Sequence, residues 1–181
     1  VLDNCFQKKG NCEMYLKQWV NNNNNGLFVV TGEPGGGKTS LLKKFANDCL
    51  ELNYIVIYID LNKVNFYYNS SSPMNCLEQH IYNNYGKDIS ECSEYEEIIL
   101  FLDGFDEITK DVWDTSKNLL GSIILTDWIK KHRVIISGRP KIIKYCSELN
   151  FVSKAPHLYI SDIDIKSDLF REYIKKLEDE I

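Results

Sequence analysis

The sequence predicts an α/β fold, a three-layer sandwich on a five-stranded, mainly parallel sheet. Two observations carry this. Short, near-continuous apolar runs alternate along the chain with segments whose apolar residues recur every three or four positions. Strands that are apolar on both faces belong in a parallel sheet covered by helices on both sides. A glycine-rich stretch also stands between the first apolar run and the first long helical pattern, in strand–loop–helix order.

The elements follow in order. Cys12, Tyr15, Leu16, Trp19 and Val20 share one face of a helix. The tract Asn21 to Asn25 ends that pattern and reads as a flexible surface loop. Leu27 to Val30 is a buried strand. Leu41, Leu42, Phe45, Ala46, Cys49 and Leu50 recur at helical spacing, and Tyr54 to Ile59 is a second buried strand. Asn69 to Pro73 reads as a loop before a helix from about Asn75 to Tyr85, with Leu77 and Ile81 inward. Ile98 to Leu102 is the third strand. Val112, Trp113, Leu119, Leu120, Ile123 and Ile124 give a helical stretch with an interruption expected at Gly121. Val134 to Ile136 is the fourth strand, and Pro140 suits the first turn of the next helix. Leu158 to Ile160 is the fifth strand. Leu169, Phe170, Tyr173, Ile174 and Leu177 form the apolar stripe of a last helix.

Composition bounds the function. The chain has 181 residues, 44% hydrophobic and 26% charged, enough for one domain with a sizeable core. No apolar run reaches the roughly 18 residues of a spanning helix. The first nine residues lack the layout of a signal peptide. The expectation is therefore no membrane partner and a cytoplasmic location. The net charge of −5 argues against a protein that coats nucleic acid. None of the six cysteines forms a C-x-x-C pair, and the three histidines stand at no zinc spacing. Reduced thiols are expected, with Cys49, Cys76 and Cys146 on apolar helix faces.

The strongest chemical signal is Gly32-Glu33-Pro34-Gly35-Gly36-Gly37-Lys38-Thr39, which matches G-x-x-x-x-G-K-[ST]. Glycines let the backbone curl so that successive N–H groups face phosphate oxygens. The helix that begins here turns its positive end toward the same anion. Lys38 can reach β- and γ-phosphates, and the Thr39 hydroxyl can ligate Mg²⁺. Ser40 completes the nucleotide-binding stretch.

Asp103 ends the third apolar run, which places a carboxylate at the edge of the sheet beside the phosphate loop, suited to Mg²⁺. Asp106 and Glu107 are candidates to orient or deprotonate an attacking water, and the residues alone do not choose between them. Ser137-Gly138-Arg139-Pro140 ends the fourth strand. Arg139 is planar and always charged, so it can report whether a third phosphate is present.

These blocks, in this order, resemble the NACHT domains of the signal-transduction ATPases with numerous domains (STAND), an AAA+-related branch of the P-loop NTPases. The resemblance runs from about Leu16 to Tyr173, and Asp-Gly-Phe-Asp-Glu at 103–107 is its most specific part. It implies ATP or ADP with Mg²⁺ as ligands. It makes Lys38 and Thr39 the Walker A pair, Asp103 the Walker B metal residue, and Arg139 a γ-phosphate sensor. Asp106 is its preferred catalytic acid, with Glu107 beside it. The sensor usually reads Thr-Ser-Arg, whereas Ser137-Gly138-Arg139 stands here. The resemblance also implies a switch: slow ATP hydrolysis, self-association of a full-length protein, and a role like that of innate-immune signalling proteins. On this reading, 1–181 is a single nucleotide-binding domain cut from a longer protein, consistent with its start at Val1.

Three other functions share parts of this pattern. A phosphotransferase needs a lid rich in arginine, and the chain has only Arg133, Arg139 and Arg171. A GTPase wants Asn-Lys-x-Asp, and Asn62-Lys63-Val64-Asn65 lacks the last residue. A scaffold that binds nucleotide without turnover is compatible with the same motifs.

Overall fold

The computed structural model describes residues 12–22, 25–66, 72–86, 98–108, 112–125, 128–146, 149, 152 and 154–160. The last predicted helix lies outside them. In chain order the elements are α1 (Cys12–Asn21), β1 (Gly26–Gly32), α2 (Lys38–Glu51), β2 (Ile55–Asp60), a 3₁₀ turn (Leu61–Lys63) and α3 (Pro73–Tyr85). They continue as β3 (Ile98–Asp103), α4 (Val112–Leu125), α5 (Trp128–Lys131), β4 (Arg133–Gly138), α6 (Pro140–Cys146) and β5 (His157–Ile160).

The five strands pair in the order β2-β3-β4-β1-β5, and each pairing is parallel. This order explains the layers. The crossover from β1 to β2 runs toward one edge of the sheet, whereas those from β2 to β3, β3 to β4 and β4 to β5 run the other way. Parallel crossovers are right-handed, so a reversal of direction puts the connecting helix on the opposite face. Accordingly α2, with α1, covers one face, where Leu16, Val20, Leu42, Phe45 and Cys49 meet Phe28, Val30, Ile99, Phe101 and Ile135. Helices α3 to α6 cover the other, where Leu77, Ile81, Leu119, Ile123, Ile129 and Ile142 meet Leu27, Val29, Leu100, Leu102 and Ile136. Strands β3 and β4 are buried along their whole length, as central strands of a doubly covered sheet must be. Each fully buried Ile or Leu contributes about 1.5–3 kcal/mol by its removal from water.

The same alternation decides which side chains reach the α2 face at the sheet's C-terminal edge. On β3, Ile99 and Phe101 face α2, so Asp103 does too. On β4, Ile135 faces α2, and Ser137 follows two residues on. On β2, Val56 and Tyr58 face α2. Strand β1 delivers the phosphate loop directly into α2.

Several elements differ from the sequence expectation. Helix α4 runs unbroken through Gly121. Its flanking Leu119, Leu120 and Ile123 are fully buried, and their burial outweighs the roughly 1 kcal/mol that a mid-helix glycine costs. Pro73 is not part of a loop but opens α3, with the Ser72 side chain accepting from the Asn75 N–H as the cap. This is the arrangement a fixed φ and a missing N–H favour at a first helical position. The Asn tract is held at both ends: Asn21 belongs to α1, and the Asn25 amide donates to the Lys130 carbonyl at 3.1 Å. Residues 23 and 24 lie outside the described residues. Cys49 and Cys146 are buried, and Cys76 is half-buried. Burial pushes the Cys49 thiol up to about 12, so it serves as a small apolar side chain. Among the described residues no helix is long and apolar enough to cross a membrane.

The three histidines are expected to make the fold sensitive to acid. His80, His132 and His157 all have imidazole pKa values below the ordinary 6.5, chiefly because burial disfavours the cation, and at His132 Lys131 adds to this. A pKa lowered by folding contributes stability that is complete above 6.5 and is lost as the pH falls through the folded values. The thermal midpoint, followed by circular dichroism, is therefore expected to drop between pH 7.5 and pH 5.5. A flat midpoint across that window would show that these imidazoles titrate alike in the folded and unfolded chain.

Candidate functional site

The phosphate loop joins β1 to α2. Its curl is set by backbone conformation: Gly35 has φ +76 and Gly37 has φ +83, and the Gly36 N–H donates to the Glu33 carbonyl at 3.1 Å. Gly37 is the residue before the helix and sits in the left-handed region, where a side chain is strained. It offers no side-chain cap, and no acidic residue stands in the first turn of α2. The first turn of this 14-residue helix thus brings no cap or anionic side chain of its own to its positive end. Lys38 folds back across the loop, its Nζ donating to the Gly32 carbonyl at 2.9 Å and the Glu33 carbonyl at 3.1 Å. Glu33, Pro34 and Gly35 are exposed, as are Thr39 and Ser40 in the first turn of α2.

Asp103 is 5% exposed at the end of β3. A buried carboxylate needs partners on both oxygens, and two neighbouring strands supply them. From β4, the Ser137 hydroxyl donates to Oδ1. From β2, the Tyr58 hydroxyl donates to Oδ2 at 2.6 Å. Burial, followed by the hydrogen bond to Asp103 and its charge, pushes the Tyr58 phenol well above its usual range, so it stays a donor. Ser137 also organises the loop that follows, accepting from the Gly104 N–H through Oγ at 3.0 Å and from the Phe105 N–H through its carbonyl at 2.9 Å.

Asp106 and Arg139 are joined. The Arg139 N–H donates to Asp106 Oδ1 at 3.1 Å, and Nε donates to Oδ2 at 2.7 Å. The Asp106 side chain is 6% exposed, against 51% for Arg139. Gly138 makes this possible: a Cβ there would lie 3.3 Å from Phe105 Cβ and 3.6 Å from Asp106 Oδ1. The glycine in the middle of Ser137-Gly138-Arg139 is the residue that lets the 103–107 loop close onto β4. Glu107, next to Asp106 in sequence, is exposed. Partial desolvation of its carboxyl, then the nearby charges of Asp106, Asp103 and Asp60, hold its pKa above the usual 4.5, while Lys38 pulls it back down.

The donor set suits Mg²⁺ rather than a softer ion. It consists of the Asp103 carboxylate, held by two hydroxyls, and the hydroxyl of Thr39 at the start of α2. Among the described residues no three His, Cys, Asp or Glu gather as a metal cage. Mg²⁺ keeps several waters and takes one or two carboxylates plus phosphate oxygens, so a cage is not what it requires.

Every sequence-predicted site residue thus lies in the phosphate loop, in the first turn of α2, or at the ends of β3 and β4. The sequence reading missed Tyr58 as a partner of Asp103, and it named Ser137 only as part of the strand end. A signal for Tyr58 existed: it stands two residues before Asp60, and Asp60 is level with Asp103 in the register of β2 and β3. Using that signal required the strand order.

The family model for the NACHT domain matches residues 27–164. No curated protein matches the chain. Among solved structures, AMPPCP-bound DnaA from Aquifex aeolicus is similar, with a TM-score of 0.61 at 18% identity over 97% of this chain and 54% of that one. A DNA replication initiation factor gives 0.61 at 18% identity, over 99% and 54%. Drosophila ORC bound to DNA gives 0.54 at 16% identity, over 85% and 41%. The chain therefore spans about half the length of these structures. At such identities the likeness is one of fold, that of the P-loop NTPases.

Proposed function

We propose, from the premise that this chain belongs to the NACHT domain family, that it is an ATP-binding, slowly ATP-hydrolysing switch module. Its nucleotide state would control self-association of a STAND-type full-length signalling protein. The observation that carries the reading is convergence. The uncapped end of α2, Lys38, the buried Asp103 and the Asp106–Arg139 pair all lie at the C-terminal ends of β1, β3 and β4. In a doubly wound sheet that edge is where ligands bind, at the point where the strand order reverses, and here the reversal occurs at β1.

On this reading the site residues take the following roles. The free backbone N–H groups of the phosphate loop and of the first turn of α2 would cradle the β- and γ-phosphates. Lys38 gives up its carbonyl partners for phosphate oxygens. Thr39 and Asp103 would hold Mg²⁺, which would supply charge neutralisation on the phosphates. Arg139, fixed by Asp106 through Nε and its own N–H, directs the remainder of its guanidinium at the third phosphate. Asp106 is committed to that clamp, whereas Glu107 is exposed with a raised proton affinity. Glu107 is therefore the better candidate to take the proton of the attacking water.

The phosphotransferase alternative gains nothing. Arg133 is buried in β4 under the Tyr54 ring, and Arg139 is bound to Asp106. The absence of a signal-peptide layout in the first nine residues supports a reducing, cytoplasmic setting. The acidic balance supports a nucleotide rather than a nucleic-acid partner. Sedimentation of the full-length protein should give a larger species with Mg²⁺–ATP than with Mg²⁺–ADP. The same species in both would remove the switch from this reading while leaving nucleotide binding intact.

A further inference from the structure

We infer that Tyr58 is a positioning residue for the metal carboxylate: its hydroxyl, together with that of Ser137, aims Asp103 at Mg²⁺. This rests on the nucleotide-site reading above and deepens it. A carboxylate has about four lone-pair sites. Tyr58 takes one on Oδ2 and Ser137 one on Oδ1, which fixes the plane of the group and leaves one site on each oxygen. Ser137 comes from the strand beside β3 at the same level. Tyr58 comes from the strand on the other side, two residues lower. A phenol is long enough to cover that offset, whereas serine or threonine at 58 would fall short.

Tyr58 is itself held so that its hydroxyl has one place to go. Its ring stacks on Phe101 with centroids 6.0 Å apart and planes 27° apart. Its strand, β2, is the edge of the sheet. The backbone at Tyr58 is closed off by the Tyr85 side chain from the end of α3: the Tyr58 N–H donates to the Tyr85 hydroxyl at 3.3 Å, and that hydroxyl donates to the Tyr58 carbonyl at 2.8 Å. Phenylalanine would satisfy the stacking and the edge equally well. The phenolic oxygen, half-buried, has Asp103 as its partner. Its removal would leave Oδ2 of a buried carboxylate without that donor and free to turn. Loss of a partner that orients a metal ligand typically costs about 10–100-fold in metal affinity.

The test is Tyr58→Phe in the full chain, with binding of a fluorescent ATP analogue titrated against Mg²⁺. The expected result is a rise of about 10-fold in the Mg²⁺ needed for half-maximal binding. Affinity in EDTA should stay as in the wild type, and the circular-dichroism melt should remain cooperative. A Mg²⁺ requirement within about 2-fold of wild type would overturn the proposal. Asp103→Asn is the reference. If it abolishes the Mg²⁺-dependent part of binding while Tyr58→Phe does nothing, only the role of Tyr58 falls. If it leaves the Mg²⁺ dependence whole, the nucleotide-site reading falls with it. Should Tyr58→Phe fail to fold, Tyr58→Met carries the same expectation.

Discussion

Lys38→Ala is expected to weaken ATP binding by about 100-fold or more, measured by equilibrium titration with Mg²⁺ present. The reasoning begins with what Lys38 does in the protein. Its ammonium bridges two carbonyls of its own loop, those of Gly32 and Glu33. These are neutral acceptors, and phosphate oxygens are charged ones. Charge-assisted hydrogen bonds contribute about 1.5–3 kcal/mol each, roughly twice neutral ones, and 2.7 kcal/mol corresponds to about 100-fold in affinity. No second lysine or arginine stands in residues 32–42 to take over. The helix end would still attract the anion, but only by about 0.3–1 kcal/mol at an exposed position. The variant should melt close to the wild type, since the lost bonds are at an exposed or half-buried loop. Affinity within about 3-fold of wild type would show that the loop is not where the phosphates bind.

Much of this site was legible because its parts are local. The phosphate loop is eight consecutive residues whose spacing already contains the curl, the lysine and the helix start. Asp103 was legible because a strand of unbroken apolar residues places its first carboxylate at the sheet edge. The strands were legible for the same reason, each to within two residues at either end. What was not legible depends on register. The Tyr58–Asp103 bond spans 45 residues of sequence, and the Asp106–Arg139 pair spans 33. Both exist only because β3 lies between β2 and β4. Gly121 was misread for another reason: helix propensity is a local quantity, and three fully buried neighbours override it. The four-residue helix α5 carries too little periodicity to announce itself, although its Trp128 and Ile129 are buried. The choice between Asp106 and Glu107 belongs to the same class. Side by side in sequence they are equivalent acids, and only the arginine that comes from the end of β4 separates them.

That separation gives the second large effect. Glu107→Gln is expected to lower kcat for ATP hydrolysis by about 100-fold or more, the scale of a lost general base, with ATP affinity within about 3-fold of wild type. Glutamine keeps the size and one hydrogen-bonding oxygen but cannot accept the proton. Asp106→Asn acts differently. It leaves a carbonyl oxygen to accept from Arg139 but removes the charge that pairs with the guanidinium at 2.7 Å. Its larger consequence should be a loosened Arg139, read as a smaller ratio of ATP to ADP affinity, with a milder fall in kcat. The pH profile supplies an independent check. Partial desolvation and the neighbouring carboxylates hold the Glu107 pKa above 4.5, and a base must be ionised to act. Turnover should therefore rise with pH through that elevated value, and Glu107→Gln should flatten the rise. Should Glu107→Gln hydrolyse at nearly the wild-type rate while Asp106→Asn is inactive, the assignments are reversed: Asp106 is the proton acceptor, and its bond to Arg139 must break for each turnover.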